Sequence, residues 1–128
     1  MTISARPALE PALRDAVAQA RRWYWQRISA MVLAVCVLLH LSGMVWAVRG
    51  GLSAAEILAR TQGNALFAGF YAVFVGACAV HVPIGLASIA REWWQWPPRA
   101  ALWFARAVTA TLLVLGLRAV WGVYAPGA

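Results

Sequence analysis

Residues 28–48 read ISAMVLAVCVLLHLSGMVWAV, a run without one charged side chain. About 20 apolar residues, rising 1.5 Å each in a helix, cross the roughly 30 Å hydrocarbon core of a bilayer. This run is long enough to do so, and Arg49, Gly50 and Gly51 close it. Residues 65–90 form a second uncharged run, long enough to span with tilt. Residues 100–124 form a third long apolar stretch, which carries Arg106 near its start and Arg118 further along. The chain is therefore expected to be an all-α membrane protein. Three transmembrane helices, 28–48, 65–90 and 100–124, would make one domain over residues 23–128.

Composition agrees. Of 128 residues, 63% are hydrophobic and 12% charged, with a mean hydropathy of +0.70. Soluble domains carry about 25% charged residues. A soluble fold of this size has no interior large enough for so much apolar surface, whereas a bilayer does.

Between the runs the signals are polar. Residues 1–22 are Ala-rich and hydrophilic, with no apolar core after the start, so they are not read as a signal peptide. Pro11 followed by good helix formers predicts a short helix over 12–22, lying near the membrane and docking to a partner or to lipid. Ser53-x-x-Glu56 is a capping box, which predicts a short surface helix over 53–60. Residues 93–99, WWQWPPR, are expected to form a tight loop in which Pro97 and Pro98 forbid helix.

All eleven basic residues are arginine and the acids number four, a formal net charge of +7. Nucleic-acid binding calls for a basic stripe on a polar face. Here the arginines stand at the ends of apolar runs, which suits lipid head groups and topology control, so no nucleic-acid partner is expected. Arg6, Arg14, Arg21, Arg22 and Arg27 precede the first run, and Arg91, Arg99 and Arg106 mark the junction of the second and third. Arg49 and Arg60 alone mark the other side. The positive-inside rule then predicts a cytoplasmic N-terminus and an external C-terminus. Trp23, Trp25, Trp93, Trp94, Trp96 and Trp103 would form the inner aromatic belt, with Trp46, Trp121 and Tyr124 the outer one. Cys36 and Cys78 lie inside apolar runs and read as small buried hydrophobes.

The chain has two histidines, His40 and His81, and both fall inside spans. An ionisable side chain in a bilayer is costly and marks function. A bare metal centre wants more ligands, from cysteine or carboxylate, and a proton relay wants acids, which no span contains. Haem asks for one or two axial imidazoles and an apolar slot. Gly85 and Ala77 stand four residues either side of His81, so small neighbours share its helix face. The other reading is a histidine bonded to a neighbouring helix. Depth from the cytoplasmic ends is roughly 18 Å for His40 and roughly 14 Å for His81, so the two either share one haem or each face their own. Arg118 reads either as a partner for a haem propionate or a partner's acid, or as a side chain snorkelling to the head groups.

Two segments carry a resemblance. Arg27-Ile-Ser-Ala30 resembles the helix-entry motif of the cytochrome b membrane anchors of succinate dehydrogenase and fumarate reductase. His81-Val-Pro-Ile-Gly85-Leu-x-x-Ile-x-x-Glu92 resembles that family's second-helix motif. The likeness runs from about Arg22 to Tyr124 in three helices with similar loops. It implies haem b with His81 as an axial ligand. His40 resembles the first-helix histidine of the two-haem anchors, which implies a second haem. The remaining axial ligands would then come from a second membrane subunit or a second copy. It also implies an iron–sulfur subunit, a flavoprotein subunit and a quinone site near the cytoplasmic face, with Arg27 and Ser29 on the quinone side. The expected place is a bacterial cytoplasmic (inner) membrane. The chain departs from the family at Gln26, where many anchors have His, at Trp23, where a quinone-side serine stands, and at Ala87, where Arg is usual.

Such a chain would carry electrons without catalysing the dicarboxylate chemistry itself. A haem-free anchor or scaffold is the alternative, and a small transporter a third, which the scarcity of converging polar groups disfavours.

Overall fold

The computed structural model describes residues 6–125. The first residues of the polar N-terminal stretch and the last three of the tail lie outside them. Every regular element among the described residues is a helix: α1 (Arg6–Arg49), α2 (Ala54–Thr61), α3 (Ala65–Glu92) and α4 (Pro98–Tyr124). The helices α1, α3 and α4 are each long and apolar enough to cross a membrane.

Helix α1 differs from expectation. In place of a separate helix over 12–22 followed by a span, one helix of 44 residues runs from Arg6 to Arg49. Pro11 lies inside it rather than at its start. From Ala12 to Ser42 the sequence has neither Gly nor Pro, and nothing there gives the backbone a reason to leave the helix.

The short helix α2 forms as expected. The Ser53 backbone N–H donates to Glu56 Oε2 at 2.7 Å, and the Glu56 N–H donates to Ser53 Oγ at 3.3 Å. Helix α3 opens on Asn64, whose Oδ1 accepts from the Leu66 and Phe67 N–H groups at 3.1 and 3.4 Å. Helix α4 begins at Pro98 rather than at residue 100, because a proline at the first helical position loses only a donor that would be orphaned anyway. Between α3 and α4, Gln95 adopts φ +52° and the Trp96 N–H reaches back to the Ala90 carbonyl at 3.1 Å. At the other end of the molecule the Gly63 N–H bonds the Tyr124 carbonyl at 2.9 Å, tying the α2–α3 junction to the end of α4.

The central helix is α3, which packs against α1 on one side and α4 on the other. Its neighbours approach over small residues, as is usual where lipid supplies no hydrophobic drive between helices. The fully or nearly buried positions are Ser29, Cys36, Ala79, Pro83, Ala90 and Ala101 among others, none of them a large side chain. The closest approach is at Gly116 of α4, where an added Cβ would lie 2.5 Å from Val75 Cγ1. Large apolar side chains such as Leu38, Leu66, Val114 and Leu117 point outward, as lipid-facing residues do.

Candidate functional site

Both histidines lie in the seam between α1 and α3. Helix α1 runs antiparallel to α3 there, so Gln26 meets Gly85 and His40 meets Tyr71 and Phe74. The spacing keeps both levels on one face: Ser29 and His40 are eleven residues apart on α1, and Phe74 and His81 are seven apart on α3.

At the first level, His81 Nδ1 lies 3.4 Å from Ser29 Oγ and 3.4 Å from the Gln26 carbonyl oxygen. Ser29 is 5% exposed, and its hydroxyl donates to the Trp25 carbonyl at 2.6 Å. The Gln26 side chain completes the cluster. Its Oε1 is buried without a hydrogen-bond partner, and its Nε2 sits 3.3 Å from where a Cβ on Gly85 would be. The room that Gly85 leaves is therefore taken up by the Gln26 amide and is not an open slot beside His81. Gln26 is the residue that sequence reasoning passed over, marking it only as a departure from a family pattern. Its polarity within the entry to an apolar run was the available signal.

At the second level, the His40 ring stands edge-on to Tyr71 and Phe74, with centroids 5.8 and 5.9 Å away. It also lines a groove of about 470 Å³ whose other walls are apolar residues of α3 and α4, including Val75, Cys78, Leu112, Leu115 and Gly116. That volume falls within the range of roughly 300–1,000 Å³ usual for ligand pockets. An imidazole facing an apolar, cofactor-sized groove is the donor set that a flat macrocycle with a metal centre would need.

The two levels are distinct. From Phe74 to His81 the helix rises about 10 Å, and from Tyr71 about 15 Å. Cys36, 5% exposed, sits on α1 between the two levels and helps close the seam there. Among the described residues no group of three or more His, Cys, Asp or Glu side chains could hold a bare metal ion.

The remaining candidates lie apart. Arg27 and Ser29 occupy opposite faces of α1: Ser29 turns into the seam, while Arg27 is exposed with its guanidinium 5.0 Å from the Trp23 ring centre. Arg118 is exposed on α4, does not line the His40 groove, and has no ion-pair partner among the described residues. Comparison with protein-family models, curated proteins and solved structures finds no match to this chain.

Proposed function

We propose that the chain is a haem b-binding membrane anchor of a respiratory complex of the succinate dehydrogenase and fumarate reductase kind. The complex would pass electrons between the iron–sulfur clusters of its soluble subunits and membrane quinone. The observation that carries this reading is the pair of histidines inside one apolar seam at two separate levels, one of them facing a cofactor-sized groove. On this reading His40 holds one haem in its groove; His81, whose own seam is filled by Gln26, holds the other against a second membrane subunit or a second copy, which also supplies the remaining axial ligands. Haem b, when bound, supplies reversible one-electron chemistry at iron. The helices supply the imidazoles, fix their depth and keep water away.

The arginine asymmetry assigns the N-terminus to the cytoplasm, and the family resemblance suggests a bacterial inner membrane. The iron–sulfur and flavoprotein partners then dock on the arginine-rich side. Arg27, at that face and stacked on Trp23, remains the quinone-side candidate, while Ser29 is given to His81 instead.

One observation favours a second reading, that of a haem-free anchor. Both imidazoles have neighbours within the chain: His81 has Ser29 and the Gln26 carbonyl, and His40 has two aromatic edges. A reduced-minus-oxidised visible spectrum of membranes carrying the chain separates the two. The proposal expects b-type bands that weaken on His81→Leu. A spectrum without them, from membranes in which the chain is demonstrably inserted, establishes the haem-free anchor.

A further inference from the structure

We propose that Ser29 and the Gln26 carbonyl hold the His81 imidazole in its Nδ1–H tautomer, so that Nε2 is the atom His81 offers to a haem iron. The last step rests on the haem-ligand reading above; the tautomer rests on geometry alone.

Nδ1 faces two oxygens at 3.4 Å. The Gln26 oxygen is a backbone carbonyl, which has no proton to give. Ser29 has one hydroxyl proton, and the Trp25 carbonyl takes it at 2.6 Å; the Gln26 carbonyl, at 3.1 Å, is the poorer acceptor for it. What Ser29 Oγ turns towards Nδ1 is therefore a lone pair. A bare Nδ1 would set its own lone pair against two others in a seam where Ser29 is 5% exposed and no bulk water can intervene. A proton on Nδ1 removes that conflict and is shared between the two oxygens. Each bond is long, as a three-centre arrangement requires. With Nδ1 protonated in a neutral ring, the only lone pair left is on Nε2.

Histidines that ligate metals are commonly held in this way, the second ring nitrogen donating to a carbonyl or other oxygen so that tautomer and ring angle are fixed before the metal arrives. Here the device is local to the entry of α1. Ser29 follows Trp25 by four residues and Gln26 by three, so one helical turn both orients the hydroxyl and brings the carbonyl alongside it. Ser29 is thus a positioning residue that acts through His81.

The test uses the full chain in detergent micelles, haem-free and labelled with 15N in histidine. A His40→Phe variant assigns the two rings. The 15N spectrum should place His81 Nδ1 among protonated ring nitrogens and Nε2 among unprotonated ones. In Ser29→Ala the Nε2–H form should become populated, and Ser29→Thr should restore the native pattern. Haem titration of the same samples should show binding weakened about tenfold in Ser29→Ala, the low end for loss of an outer partner because the Gln26 carbonyl remains. An Nε2–H tautomer in the unsubstituted chain overturns the proposal. So does a Ser29→Ala spectrum identical to the parent's with helicity unchanged. Absence of haem from the complex purified with its other membrane subunit overturns the ligand reading and the step that rests on it, while the 15N spectrum still decides the tautomer.

Discussion

The levels of His40 and His81 are separated by two to three turns of helix and by the buried Cys36, and this makes their substitutions distinguishable. If each serves its own haem, His40→Leu removes one of two haems per complex and leaves the other, as a pyridine haemochrome count per purified complex would read. Loss of both would return the two histidines to one shared haem, and loss of neither would make His40 a packing residue against Tyr71 and Phe74. Gly116 offers a test of packing alone. An alanine there meets Val75, a β-branched side chain with little rotamer freedom, at 2.5 Å. Gly116→Ala should cost about 1–3 kcal/mol in reversible unfolding from mixed micelles, whereas Gly122→Ala, with nothing within 4 Å of the new methyl group, should be neutral or slightly stabilising, since alanine is the better helix former. A measured equality of the two would show that α3 and α4 do not meet at Gly116. The two histidines were legible in the sequence because an imidazole in an uncharged run is conspicuous. The contact of Gln26 with Gly85 was not, because it depends on how α1 and α3 are set against each other, and no local pattern encodes that register.

At the scale of elements, the three apolar runs and the Ser53–Glu56 capping box were readable from local chemistry and are present as expected. The start of α1 was not. A change in composition at Arg22 suggested a boundary, but composition changes where the solvent changes, and a helix ends only where the backbone has cause to end it. The cap of α2 carries a pH dependence. The Ser53 backbone N–H, the Ser53 hydroxyl and then Arg60 hold the exposed Glu56 carboxyl below the usual glutamate range. A carboxyl depressed on folding stabilises the cap above its unfolded pKa, and that contribution is lost as pH falls through the folded value. A carboxyl 13C titration should therefore give Glu56 a midpoint below that of an unstructured glutamate. Ser53→Ala should raise it part of the way, since the backbone donor stays. An unshifted midpoint would mean that the box does not form in solution.

For the whole molecule, the antiparallel course of α1 and α3 gathers Arg21, Arg22, Arg27, Arg91, Arg99 and Arg106 towards one end and leaves Arg49 and Arg60 at the other, with Arg60 lying 5.0 Å over the Trp46 ring. The arginine asymmetry sets the expected orientation. A reporter fused after Ala128 should be exported, and one fused within residues 91–99 should stay cytoplasmic; the reverse pattern would invert every assignment of side made above. The unbroken α1 has a mechanical meaning. At 1.5 Å per residue it is a rod of about 66 Å, and the uncharged run over residues 28–48 makes up just under half of it. A rod without a hinge transmits angle as well as position. One alanine inserted after Arg22 would leave the immersed part untouched, yet would swing everything before it through about 100° and advance it by about 1.5 Å. Whatever grips the N-terminal part of α1 is thereby held in rotational phase with His40 and His81.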